Sequence, residues 1–442
     1  MERRPMKESP PQREQQKSNF QWNPYADQPH NVFPRKERVR QHVRDAGTYV
    51  SLCLSNLRKL APGLALYRKY RKQMYRAPLT FNAPFALSVS PENGKEENLL
   101  ELLKEVGVRR SLVRIPSWER HKLDDLEKFF DFLTENGMEI TVALLQQRAD
   151  VLDPGRWESF LEEVFSRFRN YSSYFEIAHA WNRTKWGVWG FREYLKLARP
   201  AVSLAGKYGV HLVGPAVLDF EFHLYPPVLK EVSFEKVSSL LYVDRMGAPE
   251  NKQFGWDLSR KIALLKATVD VCSQKGRDVW ITEFNWPLKG TGKYSPAAGK
   301  PNVTEEQQAD YLVRYCVPAV ASGLIERVYW WQMVAPGYGL IDSRGETWRK
   351  RPGFHAMKQM VSRLEGSRFV GKLHHPRAEI FSFSREKENF AVCWTRELSS
   401  GATGDLIFPA RVIRILNRDG QEIPCNNNRV RFGESPKYVY FE

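Results

Sequence analysis

The residues able to do chemistry fall in short clusters, each just after an apolar run. They are Arg114, Gln146 and Gln147, His179 and Asn182, Asp219 and Glu221, Tyr242 and Asp244, Glu283, and Trp330 with Trp331. Carboxylates, carboxamides and aromatic rings dominate. The five cysteines are widely spaced and form no CxxC knuckle, and no Ser-His-Asp arrangement is apparent, so neither a metal nor an organic cofactor is expected. Several of the thirteen tryptophans sit in the same short loops: Trp118, Trp181, Trp186, Trp189 and Trp286. Flat rings beside carboxylates suit a pyranose, whose C–H face stacks while its hydroxyls hydrogen-bond. Any one of these rings is more simply core filling; the set points to a saccharide.

The apolar runs alternate with segments of helical period. Phe85–Ser90, Ser111–Pro116, Glu139–Leu145, Phe175–Ala180, His211–Ala216, Ser239–Val243, Asp278–Phe284 and Arg327–Gln332 read as eight strands. Helices are expected over Glu97–Gly107, Leu123–Gly137, Pro154–Phe168, around Tyr194–Ala205, over Leu258–Ser273, from a Thr304/Gln307 capping box toward Gly323, and near Phe354–Leu364. Irregular structure is expected after the fifth strand. Eight such units predict a closed (β/α)8 TIM barrel with its chemistry at the C-terminal strand ends. No GxGxxG follows the first strand, which argues against an open doubly wound sheet.

The rest of the 442-residue chain flanks this barrel, which is assigned to residues 81–365. The formal charge of +16 is uneven: residues 1–80 carry a net +11 and all the others together +5. Residues 1–34, rich in Gln, Pro and Asn, read as a disordered arm. Residues 35–80 read as a basic amphipathic helical segment broken near Pro62, with Leu64, Tyr67, Tyr70 or Arg71, and Met74 along one side. Such a segment either packs under the barrel or lies, through residues 35–76, on an anionic membrane surface. No nucleic-acid module accompanies the charge. No apolar run is long enough to span a bilayer, and none follows the basic start as in a signal peptide. With so few cysteines, a cytoplasmic setting is expected, with a peripheral position on the inner face of the membrane open. Residues 366–442 alternate in short runs and read as a C-terminal antiparallel, β-sandwich-like domain.

Within residues 81–365, SLVRIP, YFEIAHAWN, DVWITEFNWP, VYWWQ and GLID resemble the retaining glycoside hydrolases of the large clan built on (β/α)8 barrels, its xylosidase-like and bacterial exopolysaccharide-hydrolase branches above all. The resemblance implies that Glu283, ending the seventh strand, is the nucleophile. It implies that Arg114 and Tyr242 hydrogen-bond that carboxylate and that Trp330 or Trp331 floors the sugar site. Trp181, Asn182 and Trp286 are the further candidates for substrate contact, and the partner is an oligosaccharide or glycolipid of bacterial type.

One departure is decisive for mechanism. The clan's fourth strand ends in Asn-Glu, and that Glu is the general acid/base; here the two positions are His179 and Ala180. A methyl group can neither protonate a leaving oxygen nor activate water, and loss of such a group removes about 10²–10⁴-fold of rate. His179, Asp219, Glu221 and Asp244 are candidates to stand in, with His179 able to titrate near neutrality. Glu176 lies deeper and reads as a buried structural partner. Retaining glycosidase, transglycosidase and catalytically impaired glycan-binding pseudo-hydrolase therefore all remain open. The long loop Leu288–Val303 is expected to border the site, with Lys289, Lys293 and Lys300 able to attract an anionic saccharide or merely to face solvent.

Overall fold

The computed structural model describes residues 20–29, 35–92, 94–297, 302–395, 404–425 and 428–442. At its centre is a closed eight-stranded barrel. The strands are β1 (Phe85–Val89), β2 (Arg110–Pro116), β3 (Glu139–Leu145), β4 (Tyr174–Ile177), β5 (His211–Leu218), β6 (Lys236–Leu240), β7 (Val279–Phe284) and β8 (Arg327–Trp330). Every neighbouring pair is parallel, and β8 closes on β1 through Val328–Phe85, Tyr329–Ala86 and Trp330–Leu87. Buried on both faces, the strands need apolar runs rather than strict alternation, and that is what the sequence supplies.

Two side-chain layers result. Ala86, Leu112, Ala143, Val213, Trp280 and Tyr329 fill the barrel interior. Their sequence neighbours, such as Val113, Ile281 and Val328, point out against the helices. Strand periodicity thus settles Trp330 and Trp331: the first joins the outer layer, the second the inner. At the end of β7 the register shifts between Ile281 and Phe284. Such an irregularity re-aims side chains beside a site.

The helices match the expected periods. Gly107 closes Glu96–Val106 in the left-handed conformation, and Thr304 and Gln307 form the capping box of Glu305–Ala321. After β5, where irregular structure is expected, a short helix runs over Tyr225–Glu231; Pro226 and Pro227 sit in its first turn, where the missing N–H costs nothing.

The N-terminal segment differs from expectation more. The break lies at Asp45, not Pro62: helices Arg35–Arg44 and Ala46–Gln73 meet there, and the exposed Pro62 is carried inside the second. The carbonyl that Pro62 leaves unbonded is met by solvent. Tyr67, Tyr70 and Met74 face the barrel, Tyr70 bonding Asp270 and Tyr67 meeting Trp256 at 5.5 Å. Val50 and Leu54 of this helix and Val43 of the one before it are exposed, while Leu57 and Leu60 line a groove with Phe222, Pro226 and Leu264 of the barrel. Of residues 1–34, only 20–29 are described, and they are ordered into a strand pair laid over the barrel mouth.

Beyond Leu364, strands Arg368–Leu373, Ala378–Arg385, Glu388–Thr395, Val412–Leu416 and Lys437–Phe441 belong to one antiparallel sheet of seven strands. Leu79–Thr80, just before the barrel, adds to its edge. A separate ribbon pairs Gly404–Ile407 with Arg429–Phe432.

The loop after β8 is held from beneath by one cation. Arg351, fully buried, donates to the carbonyls of Ala335 and Gly339 at 2.8 Å and of Pro336 at 2.6 Å, and to Glu305 at 3.1 Å. Removing it leaves carbonyls and carboxylates without their donor. Arg351→Met is expected to cost about 3–5 kcal/mol, read as a lowered midpoint in chemical denaturation; a change within ~0.5 kcal/mol would show that the loop holds itself.

Candidate active site

At the C-terminal ends of the strands, Glu283 is brought against Arg114 and Tyr242. Tyr242 Oη donates to Glu283 Oε1 at 2.6 Å, and Arg114 Nη2 donates to Oε2. Both oxygens of the carboxylate are thus occupied by donors, and the pair Arg114–Glu283 keeps only 10% of each side-chain surface. Arg114 is itself fixed from below and from the side. Its guanidinium lies 3.3 Å from the centroid of Trp331, and its Nη2 is 3.2 Å from His179 Nε2. An inward position on β2, two residues after Leu112, aims Arg114 into the mouth.

His179 lies beside this pair but is poorly suited to deliver a proton. Burial, then Arg114 and Lys185, hold its pKa well below the ordinary value. Since Arg114 can only donate, Nε2 is the acceptor and the ring proton sits on Nδ1. The 3.4 Å approach of Nε2 to Glu283 Oε2 is then a contact, not a hydrogen bond. His179 positions Arg114 instead. Ala180 follows with only 1% exposure, packed with Trp186.

Four other candidates are structural. Trp181 stacks on Tyr194 of the helix Phe191–Tyr208 at 4.5 Å. Asn182 ties the loop after β4 to β5: its Nδ2 donates to Leu218 O and its Oδ1 accepts from Leu218 N, both at 2.9 Å. Trp286 donates from Nε1 to the carbonyls of Asp244 and Gly247 and stacks on Trp330 in the outer layer. Of the two adjacent tryptophans only Trp331 lines the mouth. Asp219 and Glu221 are held by Arg183, and Asp219 also by Arg245. Glu176, inside the barrel, accepts from Thr282 at 2.6 Å, and burial raises its pKa to about 7.

The second carboxylate at the mouth comes from outside the barrel. Residues 20–29 form a strap in which Trp22 pairs with Pro29 and Asn23 with Gln28. The Asn23 side chain accepts from the N–H of Tyr25 at 3.0 Å, the turn that Asn-Pro favours, and Asp27 closes it at φ 48°. Phe20 and Trp22 pack on Trp118, and Trp22 on Trp186. Tyr25 meets Tyr294 and takes the Lys293 ammonium 3.7 Å from its ring centroid. Lys300 lies outside the described residues. Asp27 Oδ2 accepts from Arg114 Nη1 at 3.1 Å, and Gln28 Oε1 accepts from Lys185. No signal in the sequence marked Asp27, Gln28 or Lys185 as site residues; Asn-Pro beside a Trp in an otherwise polar arm was the one hint of order.

Beneath the strap a cavity of about 60 Å³ remains, lined by Arg114, His179, Lys185, Tyr242, Glu283 and Trp331. Ligand pockets ordinarily span ~300–1,000 Å³. A cleft of about 1090 Å³ opens next to it, walled by Asp219, Asp244, Arg245 and Phe254, with Gln28 and Pro296 shared between the two.

This architecture has known counterparts. The fold is that of glycoside hydrolases. A family 39 glycoside hydrolase from Bacteroides cellulosilyticus WH2 superposes with a TM-score of 0.65 at 15% identity, over 82% of this chain and 81% of that one. A GH30 endoxylanase from Clostridium papyrosolvens C71 gives 0.55 at 12% identity, over 84% and 98%. The GH51 arabinofuranosidase from Xanthomonas axonopodis pv. citri gives 0.54 at 12%, again over 84% and 98%. No protein-family model matches the chain, and no curated protein does.

The strap's hold should vary with pH. Burial pushes Asp27 up to about 6; Arg114 and the Tyr338 hydroxyl oppose this, while Glu283 and Glu119 add to it. Asp27 retains 29% side-chain exposure, so the size of the effect is moderated by water but not its sign. A group whose pKa is raised on seating binds its proton more tightly there. Seating is therefore strongest below the ordinary carboxylate range and weakens as pH rises through about 6. Amide exchange of residues 22–29, corrected for intrinsic rates, should be slower at pH 5 than at pH 8; the reverse order would show that the Arg114 ion pair outweighs burial.

Proposed function

We propose that this chain is a carbohydrate-active protein of glycoside hydrolase type in which Glu283 is the nucleophile toward the anomeric carbon of an oligosaccharide or glycolipid. The observation that carries this is the Arg114–Glu283–Tyr242 arrangement: a carboxylate at a strand end of the barrel, oriented by a guanidinium and a phenol. Attack by Glu283 would form a glycosyl ester and expel the leaving oxygen. With Ala180 in the acid/base position, that oxygen would depart unprotonated, so good leaving groups and transfer to strong acceptors are favoured over hydrolysis of ordinary glycosides.

The second reading, a glycan-binding barrel without turnover, is favoured by the same Ala180 and by the closed mouth. Activated 2-fluoro-glycosides separate the two. Wild type, Asp27→Ala and Glu283→Gln are incubated with a panel and weighed intact. A glycosyl adduct on either of the first two, absent from Glu283→Gln, is the expected outcome. Glycan binding with no adduct on any form would favour the binding module.

We also infer that the outer face of the Ala46–Gln73 helix rests on an anionic membrane. Residues 46–80 hold seven Lys or Arg and no Asp or Glu. Beside these cations Val43, Val50 and Leu54 are 72%, 61% and 51% exposed. A second copy would set like charges against each other, whereas anionic headgroups neutralise them. The full chain should float with phosphatidylglycerol vesicles and not with phosphatidylcholine, and Val50→Glu/Leu54→Glu should abolish flotation. Unchanged flotation of the double variant would refute the assignment.

A further inference from the structure

The strap places side chains against the site in a particular chemical pattern. Asp27 gives Arg114 a carboxylate, and Gln28 gives Lys185 an amide oxygen. Both cations line the inner cavity, as does Arg245, while the barrel itself contributes one carboxylate there, Glu283. Glu283 is already committed to Arg114 Nη2 and Tyr242, and Arg245 to Asp219. Arg114 Nη1 is therefore turned toward an anion that the barrel does not provide.

Three cations, Arg114, Lys185 and Arg245, line this cavity. Lys185 is pushed down to about 8, by burial first and then by Arg245, Arg183 and Arg114, with Glu283 opposing. A neutral pyranose offers hydroxyls to such a site but nothing that answers its charge. A sugar acid offers hydroxyls to the polar groups around Glu283 and a carboxylate for Arg114 together.

Resting on the reading of Glu283's surroundings as a sugar site, we propose that the mouth is built for an acidic saccharide, a uronic acid or ketosidic sugar acid, and that Asp27 of the strap occupies the seat of its carboxylate. The strap and the ligand then exclude each other, since the cavity beneath the strap, about 60 Å³, is far below ordinary ligand size. The ligand's apparent affinity is reduced by the fraction of molecules in which the strap has lifted. Asp27 acts as an internal stand-in, not as a proton donor: it reaches the site from the Arg114 and Tyr338 side, and it leaves no room for the sugar it would have to protonate.

The test uses the full chain and matched pairs of probes: the methyl glycosides of glucuronic and galacturonic acid against those of glucose and galactose, in both anomers, with the methyl ketoside of N-acetylneuraminic acid added. Binding is read by titration calorimetry. Asp27→Ala should bind at least one sugar acid about tenfold or more tightly than wild type does, and about tenfold or more tightly than it binds the neutral partner. Arg114→Met, added to Asp27→Ala, should erase the acid preference. Absence of an acid-over-neutral preference in Asp27→Ala overturns the proposal. So does the opposite outcome, in which Asp27→Ala binds no better and loses turnover of an activated glycoside that azide restores, because Asp27 would then be the missing acid. An adduct on Glu283 from a neutral fluoro-sugar, without any acid preference, would leave the nucleophile assignment standing and this one fallen. Acid-selective binding without an adduct would do the reverse.

Discussion

The guanidinium of Arg114 is the constraint on which the site depends. One planar group donates to Glu283 through Nη2, to Asp27 through Nη1, approaches His179 Nε2 at 3.2 Å and lies 3.3 Å over Trp331. Lysine could not replace it, because a point charge on a flexible stem cannot hold two carboxylates at fixed angles and stack on an indole. Everything around it serves to keep this cation where it is. His179, neutral by burial, accepts from it without adding charge. Trp331 supplies a flat floor. The barrel fixes the inward direction of β2, and Arg351 braces the loop after β8 from which Tyr338 reaches the strap.

A carboxylate aimed at such a cation must come from a strand whose alternation would otherwise point it elsewhere. On β7, Trp280 and Thr282 face inward and Ile281 outward, so residue 283 would follow Ile281 into the helical layer. The register shift between Ile281 and Phe284 breaks that pattern and turns Glu283 to the mouth, while Phe284 remains packed on Tyr315 at 4.1 Å. The packing of Phe284 and the aim of Glu283 into the mouth are thus two halves of one local distortion.

Much of this was legible in the sequence because barrel strands and helices announce themselves by period. The eight apolar runs, the Thr304 capping box and the pairing of Arg114, Tyr242 and Glu283 all rest on local pattern or on motifs whose meaning is positional. What was illegible rests on facing. Trp330 and Trp331 are adjacent and chemically identical, and only the strand's phase, inward at Tyr329 and so inward again at Trp331, tells them apart. Trp181 and Trp286 follow strands as substrate-binding rings would, yet are claimed by Tyr194 and by the carbonyls of Asp244 and Gly247. Composition misled at the arm: a Gln/Pro/Asn-rich stretch lacks the apolar content to fold alone, but Phe20, Trp22 and Tyr25 bring enough ring surface to fold onto a site already lined with Trp118, Trp186 and Tyr294.

Ala180 and the strap are physically matched. Ala180 lies in the inner cluster at 1% exposure, against Trp186, and Trp22 of the strap packs on that same cluster. A glutamate at this position under the closed strap would bury a carboxyl between indoles and a neutral imidazole. Arg114 is the nearest cation to His179, and it is already shared by two carboxylates. Such a group would either take up a proton or force the strap away. A methyl does neither, so Ala180 is compatible with a closed mouth. The small residue after the fourth strand and the strap some 150 residues earlier in the chain are then a single arrangement. The space at the mouth is taken by a carboxylate and an amide of the chain itself, set on Arg114 and Lys185.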